Sequence, residues 1–406
     1  MRQVPVPSDV TRKAVILSAS LTAPPATATA ADARVPEESA PARITAVYHV
    51  TDAPARIAAR AETIAVEQSV EMPLAAISDR AVLDDIVGRV EDITDLGGGV
   101  FEVHIGLAVA TTGLEPGQLL NMLFGNTSIH PDVILKDAIF PGALPAAFGG
   151  PRHGLAGLRA RARAGARALT CSALKPQGLS ARALAELARK LARGGLDFIK
   201  DDHGLADQAF CPFAERVPRV AAAVREARAS DGGRTGYLPS LSGDLDRLRR
   251  QVEIVRAEGL DGVLIAPMVT GLAAFHTLVC ENPDIAFMAH PAMAGAARIA
   301  PPFLLGKLFR LLGADATVFP NHGGRFGYSA ATCRELADAA LAPWSGLAAT
   351  APVPAGGMTP DRVAEMLQFY GSDVMLLIGG GLLAAGARMT KETAAFVAAV
   401  ARHSPE

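Results

Sequence analysis

The feature that most constrains the fold is a regular alternation of short apolar segments with Ala/Leu/Arg-rich segments after residue 150. Eight apolar segments are typical of strands: ALTCSALKP, LDFIKDD, TGYLPSLS, GVLIAPMV, IAFMAHP, ATVFPNH, PVPAGG and VMLLIGGG. The clearest helix between them covers residues 180–193. Continuous apolar strands that alternate with helices indicate a parallel sheet covered on both faces. Eight such units predict a (β/α)8 TIM barrel. A doubly wound sheet is the alternative, although it does not usually need eight units.

The chain of 406 residues is long enough for a second, smaller domain in front of the barrel. Residues 43–148 combine strand patterns (ITAVYHV, VFEVHIGLAV) with helical ones at 54–68 and in PGQLLNMLFGN, which predicts a small α+β domain. Residues 149–406 are assigned to the barrel. Residues 1–42 contain an Ala/Pro/Thr-rich segment without periodicity and are predicted to be a disordered tail.

Composition excludes several classes of function. The formal net charge is −2, so there is no electrostatic case for binding nucleic acid or an anionic membrane. No segment has the continuous apolarity of a membrane span. The four cysteines form no CxxC pair, and reduced thiols in a cytoplasmic enzyme are expected. The segment RKAVILSASLTA could mimic a secretion signal, but its apolar run is short.

Polar residues and glycines fall at the carboxyl ends of the predicted strands, where barrel enzymes place their active sites. They are Lys175, Lys200, Asp201, Asp202, His203, Ser240, Ser242, His290, Asn321, His322, Gly356, Gly357, Gly379, Gly380 and Gly381. Packing alone would not place them so regularly. The pattern therefore predicts an enzyme.

Two of these strand ends are interpreted chemically. Asp202 and His203 could ligate a divalent cation, and Lys200 could add an oxygen ligand if CO₂ converted its amine to a carbamate. From spacing alone, a solvated acidic turn explains this segment equally well. Lys175 at a barrel mouth suits a general base, and a surface lysine is the alternative.

The remaining strand ends are weaker signals. The glycine runs that close the seventh and eighth strands favour a phosphate site, since glycine leaves backbone N–H groups accessible, although tight turns would also explain them. His290, His322 and Arg325 are each uninformative alone.

Taken in order, GPRHGL, ALKPQGLS, GGLDFIKDDH, QAFCPFAERV, AGG and GGG resemble the RuBisCO superfamily from about Val47 to Met389. The resemblance implies an α+β domain followed by a (β/α)8 barrel. It also implies a homodimer of head-to-tail chains, or a larger homo-oligomer, in which one chain's N-terminal domain completes its partner's active site.

The resemblance assigns roles position by position. Lys200 would be carbamylated and hold Mg²⁺ with Asp202, and His203 stands where RuBisCO has a glutamate ligand. Lys175 would act as a base on the substrate, and His290 matches the histidine after the fifth strand. By the same correspondence, the residues that reach the partner's active site are Glu67 and Asn126. The phosphate site would be formed by Gly356, Gly357, Gly379 and Gly380.

Several positions depart from the RuBisCO pattern. Pro291 replaces the arginine that holds the second phosphate, and Ala355 replaces the serine before the seventh-strand glycines. Ala294 and Gln177 replace a histidine and a lysine. The loop FPNHGGRFGYS lacks the lysine that stabilises added CO₂, and only Arg325 could stand in for it. These departures imply a RuBisCO-like protein that acts on a monophosphorylated substrate and is not a ribulose-bisphosphate carboxylase.

The retained groups are suited to an enediolate intermediate. The first expectation is a carboxy-lyase: decarboxylation, or transcarboxylation and hydrolysis, of 3-oxo-isoapionate 4-phosphate, with His290, His322 and Arg325 holding a carboxylate and hydroxyls. The alternatives are a 5-methylthioribulose-1-phosphate isomerase, a diketo-methylthiopentyl phosphate enolase and a non-catalytic scaffold or binding protein.

Overall fold

A computed structural model describes residues 41–404. The predicted disordered tail falls almost wholly outside the described residues. Within residues 41–404, no helix combines the length and the apolarity that crossing a bilayer requires.

The first part of the described chain is a four-stranded antiparallel sheet, in the order β2-β3-β1-β4, with helices packed on it. Its elements are β1 (Arg43–Thr51), α1 (Ile57–Glu67), β2 (Arg89–Gly97), β3 (Val100–Ala108), α2 (Pro116–Phe124), β4 (Val133–Ile139) and α3 (Leu144–Ala147). Sequence patterns predicted β1, β3, α1 and α2. They missed β2 and β4. Strand β2 lies at the sheet edge and is largely exposed, so its sequence RVEDITDLG shows little apolar alternation.

The second part is an eight-stranded parallel sheet, in the order β7-β6-β5-β12-β11-β10-β9-β8. Its elements are α4 (Gly154–Ala162), β5 (Leu169–Leu174), α5 (Ala181–Arg193), β6 (Phe198–Asp201), α6 (Phe213–Asp231), β7 (Gly236–Leu238), α7 (Leu245–Ala257), β8 (Gly262–Ile265), α8 (Pro267–Thr270), α9 (Leu272–Glu281), β9 (Ala286–Ala289), α10 (Phe309–Leu311), β10 (Ala316–Pro320), α11 (Ala330–Leu341), β11 (Ala351–Ala355), α12 (Val363–Tyr370), β12 (Met375–Leu377), α13 (Gly380–Leu383) and α14 (Met389–His403). A parallel bridge between Ser240 and Leu264 joins the two ends of the sheet. The prediction of a TIM barrel is confirmed, and each predicted strand coincides with one of β5–β12.

Strand alternation decides which side chains enter the barrel. Phe198 belongs to the cluster of buried residues inside the barrel, whereas Ile199 packs in the cluster between the strands and the surrounding helices. Continuing the alternation along β6, Lys200 points into the barrel and Asp201 points toward the helices. The end of β6 therefore presents successive residues to two different environments.

Candidate active site

Lys200 is the innermost polar residue at the carboxyl end of β6. Its side chain is buried, and its amine donates a hydrogen bond to the backbone carbonyl of Asp201 at 3.0 Å. Burial lowers the pKa of the Lys200 amine, because the charged form loses its hydration. A neutral amine is the form that can add CO₂, so this environment fits a carbamylated lysine.

Asp202 joins two of the other predicted residues. Its Oδ1 atom lies 2.9 Å from Lys175 Nζ and 3.1 Å from His203 Nδ1. Burial would raise the pKa of Asp202, but the hydrogen bonds from His203 and Lys175 outweigh it and hold the pKa well below its usual range. Asp202 is therefore an anion above β6, as a cation ligand should be.

His203 and His290 lie face to face, with ring centroids 4.0 Å apart and an angle of 11° between the rings. Burial lowers the pKa of His290 to about 2. Its Nδ1 accepts a hydrogen bond from the Ala292 N–H at 3.1 Å. His290 is therefore a neutral imidazole with its proton on Nε2, where it can donate to a substrate oxygen.

Among residues 41–404, the Asp, Glu, His and Cys side chains near Lys200 are too few to hold a cation by themselves, so a further ligand would be needed. Nowhere in the described part of the chain do three His, Cys, Asp or Glu side chains converge on one metal position. At the end of β6 the carboxylate of Asp201 is bonded to Arg216 and Tyr237. Of these residue types only Asp202 and His203 remain there as ligands, so the Lys200 carbamate would supply the third. The donor set of two oxygen ligands and one imidazole can hold Mg²⁺, although imidazole suits softer cations better.

Two residues that hold this end of β6, Arg216 and Tyr237, were not predicted from the sequence. Asp201 accepts hydrogen bonds from Arg216 Nε at 3.0 Å, Tyr237 Oη at 2.8 Å and the Ser240 N–H at 3.0 Å. Arg216 lies within a helix and Tyr237 within a strand, so nothing in the local pattern singled them out. The one signal in the sequence that could have indicated them is that each is a charged or hydroxylated residue among apolar neighbours.

The two glycine turns end neighbouring strands, since Ala355 of β11 pairs with Leu377 of β12. Gly356 and Gly357 adopt φ values of 84° and 73°, which side-chain-bearing residues rarely adopt. A Cβ atom on Gly357 would lie 2.7 Å from the Cα of Gly324, whereas Gly379 and Gly380 face open space. The turns therefore leave backbone groups accessible at the barrel mouth, as a phosphate site requires.

The structure does not place His322 and Arg325 as a carboxylate clamp. The His322 Nε2 atom is buried without a hydrogen-bond partner, and its ring packs 4.5 Å from that of Phe369. Arg325 is exposed, and its guanidinium lies 4.9 Å from the centre of the Phe326 ring. Among the described residues, neither is hydrogen-bonded to Lys175, Asp202, His203 or His290.

Glu67 and Asn126 lie together on the first domain. The Asn126 amide donates to Glu67 Oε1 and to Glu71 Oε1, each at 2.9 Å. These three side chains form an exposed polar cluster at the C-terminal end of α1.

Comparison with known proteins identifies relatives along almost the whole described chain. The model of the ribulose bisphosphate carboxylase large chain, catalytic domain, matches residues 154–403. A 5-methylthioribulose-1-phosphate isomerase from Rhodospirillum rubrum is 62% identical over 360 residues, covering 88% of this chain and 96% of the relative. A 2,3-diketo-5-methylthiopentyl-1-phosphate enolase from Geobacillus kaustophilus is 34% identical, covering 65% of this chain and 66% of the relative.

A solved structure is also similar. The Rubisco-like protein from Rhodopseudomonas palustris superimposes with a TM-score of 0.85 and is 56% identical, covering 90% of this chain and 99% of that one.

These relatives correct the predicted reaction. The prediction that the chain is an enzyme is confirmed, since relatives named for an activity are an isomerase and an enolase. The prediction of a carboxy-lyase acting on 3-oxo-isoapionate 4-phosphate is wrong. The relatives that are named for a reaction are a 5-methylthioribulose-1-phosphate isomerase and a 2,3-diketo-5-methylthiopentyl-1-phosphate enolase, which favour the alternatives.

Proposed function

The chain belongs to the RuBisCO large-chain family, and we propose that it is a RuBisCO-like enzyme that isomerises 5-methylthioribulose 1-phosphate. The observation that carries this proposal is the 62% identity to the Rhodospirillum rubrum isomerase over nearly the whole of both chains. Identity to the Geobacillus enolase is about half as high and covers less of both chains.

The two ends of such a substrate match the two sides of the barrel mouth. The phosphate would bind the backbone N–H groups of Gly356, Gly357, Gly379 and Gly380. The opposite side has Pro291 where a second phosphate would need a cationic ligand. Met293, in the same turn, is 60% exposed. An apolar methylthio group suits this side better than a charged one does.

The metal site would be formed by carbamylated Lys200, Asp202 and His203. A Mg²⁺ ion bound there would stabilise the oxyanion of an enediolate by its positive charge. In support, Lys200 is buried and tends toward the neutral amine, and Asp202 is held as an anion. His203 donates through Nδ1 to Asp202, which leaves Nε2 as the atom for a ligand role.

Isomerisation of a ketose moves one proton between neighbouring carbons and a second proton from the hydroxyl oxygen to the former carbonyl oxygen, with no net change of oxidation state. A base removes the proton from the carbon beside the carbonyl, and an acid returns a proton to the former carbonyl carbon. We assign this proton transfer to Lys175, whose amine lies 2.9 Å from the Asp202 carboxylate at the barrel mouth. His290 would orient a substrate oxygen through Nε2–H without carrying a charge.

The active unit would be a homodimer. Glu67 and Asn126 lie on the first domain in an exposed polar cluster. We assign this cluster to the partner's active site, where it would contact the substrate from the side opposite the barrel.

The proposal is tested by comparing two substrates. The purified protein, incubated with Mg²⁺ and bicarbonate, should convert 5-methylthioribulose 1-phosphate to an isomeric phosphate seen as a new ³¹P NMR signal. Lys175→Met should abolish conversion, and Lys190→Met, an exposed lysine on α5, should not. Turnover of 2,3-diketo-5-methylthiopentyl 1-phosphate alone would replace the isomerase proposal with the enolase activity.

A further inference from the structure

A buried network behind β6 involves three residues that enter no step described above. Asp201, Arg216 and Tyr237 are at most 2% exposed. Asp201 follows Lys200 and precedes Asp202, so it occupies the one position between the two oxygen ligands of the proposed metal site. Its side chain faces the helices, while Lys200 faces the barrel interior.

Arg216 connects this position to the loop that carries the remaining ligand. Its Nε donates to Asp201 Oδ2 at 3.0 Å, and its Nη1 donates to the Cys211 carbonyl at 3.0 Å. Nη2 approaches the Leu205 carbonyl at 3.5 Å. One guanidinium on α6 therefore contacts both the end of β6 and the loop that begins with Asp202 and His203.

Tyr237 fixes the same carboxylate from the neighbouring strand. Its hydroxyl donates to Asp201 Oδ1 at 2.8 Å, while Oδ2 accepts from Arg216 and from the Ser240 N–H. Both oxygens of Asp201 accept hydrogen bonds, from Arg216 on α6, from Tyr237 on β7 and from Ser240, two residues after β7. The side chain therefore cannot rotate without losing hydrogen bonds. The backbone on either side, which sets the directions of Lys200 and Asp202, is held with it.

We infer that Arg216 and Tyr237 are positioning residues for the metal site: through Asp201, they hold the Lys200 and Asp202 side chains in the arrangement that captures CO₂ and a divalent cation together. This inference rests on the proposed carbamate and metal site. A buried ion pair by itself adds little net stability compared with apolar packing. Orientation of ligands by groups behind them commonly changes metal affinity about ten- to a hundredfold.

The chain offers a matched control for each residue. Tyr48 is a buried tyrosine of the first domain whose hydroxyl donates to the Leu123 carbonyl. Arg310 is a buried arginine whose guanidinium donates to the carbonyls of Ala339, Ala342, Leu347 and Ala348. Tyr48→Phe and Arg310→Lys impose a similar structural change without touching Asp201.

The test measures carbamate formation directly and needs no substrate. Each full-length variant is equilibrated with ¹³CO₂ and Mg²⁺, and the carbamate signal is followed by ¹³C NMR as the Mg²⁺ concentration rises. We expect Tyr237→Phe to raise the Mg²⁺ concentration for half-maximal signal by about three- to tenfold, and Arg216→Lys by at least as much. Tyr48→Phe and Arg310→Lys should change it less than about twofold. Melting temperatures are recorded for all four.

The outcomes separate positioning from general stability. If Tyr237→Phe and Tyr48→Phe shift the half-maximal concentration equally, or neither shifts it, the inference is overturned. If Arg216→Lys does not fold, the Tyr237 and Tyr48 pair still decides the question. Absence of the signal from the unaltered protein would overturn both the inference and the carbamate site. Failure of the isomerase assay alone would leave the signal unchanged, since no substrate is present.

Discussion

Lys200→Met provides a sharp test of the environment assigned to the metal-site lysine. Methionine has nearly the same length as lysine but carries no amine. Lys200 is 3% exposed, and its amine donates a hydrogen bond to the Asp201 carbonyl. Removing a buried, poorly solvated amine should therefore stabilise the fold, although the same change should destroy the proposed metal site.

The magnitude follows from burial of a polar group. Protein substitutions place that cost at about 1 to 3 kcal/mol, which for a protein of this size corresponds to roughly 1 to 4 °C in melting temperature. Lys190→Met, on the exposed surface of α5, should stay within about 0.5 kcal/mol of the unaltered protein.

The effect should depend on pH with a definite sign. Folding lowers the pKa of Lys200 from 10.5. At pH values between the pKa of the folded protein and that of the unfolded chain, the unfolded chain therefore binds more protons than the folded protein. Stability of the unaltered protein therefore rises with pH through that window, by at most about 1.4 kcal/mol per pH unit. Lys200→Met lacks this contribution, so its advantage should shrink as the pH rises.

The assay is thermal unfolding in CO₂-free buffer with chelator, at several pH values from neutral to mildly alkaline. Comparing the variant with the unaltered protein cancels contributions from groups that both share and that do not interact with Lys200, such as Tyr48, whose pKa is raised by burial. A variant less stable than the unaltered protein at every pH, with a parallel pH profile, would refute the assignment of Lys200 as a buried amine that tends toward neutrality.

Three further predictions concern the site and the assembly. Mixing Glu67→Ala chains with Lys200→Ala chains should restore part of the activity that each lacks alone, measured after subunit exchange; no recovery would place the site within one chain. With ribulose bisphosphate, the unaltered protein should fix no ¹⁴CO₂, since loss of a charged phosphate ligand costs about a thousandfold in affinity. The double variant Pro291→Arg/Ala355→Ser should bind the bisphosphate better but still should not carboxylate it. Asp202→Asn should remove the anion that binds the cation and weaken Mg²⁺ binding by at least about tenfold in titration calorimetry; unchanged affinity would exclude Asp202 as a ligand.

Much of the barrel could be predicted because its strands are apolar on both faces. Segments such as GVLIAPMV stand out against the helices, and polar residues begin where the strand ends. The position of Lys175, Asp202, His203 and His290 near one another follows from that topology, since parallel strands end at the same edge. Edge strand β2 could not be found the same way, because its exposed residues leave no apolar period.

The arrangement around the site was less accessible to sequence reasoning. Arg216 lies fifteen positions after Asp201, on a helix, and only the packing of α6 on β6 brings the two together. His322 follows β10, and the contact between its ring and Phe369 of α12 could not be predicted from the sequence either. Such contacts depend on the distances between helices and strands, which residue patterns do not encode.

The central claim is that this barrel isomerises a methylthio-ketose phosphate at a metal site built on Lys200. The most direct measurement is ³¹P NMR of 5-methylthioribulose 1-phosphate incubated with the unaltered protein and with Lys200→Ala, each with bicarbonate and Mg²⁺. We predict an isomeric phosphate signal that grows with the unaltered protein, requires both additions and is absent with Lys200→Ala. Conversion by Lys200→Ala at the full rate, or no conversion by the unaltered protein once it is saturated with CO₂ and Mg²⁺, would contradict the claim.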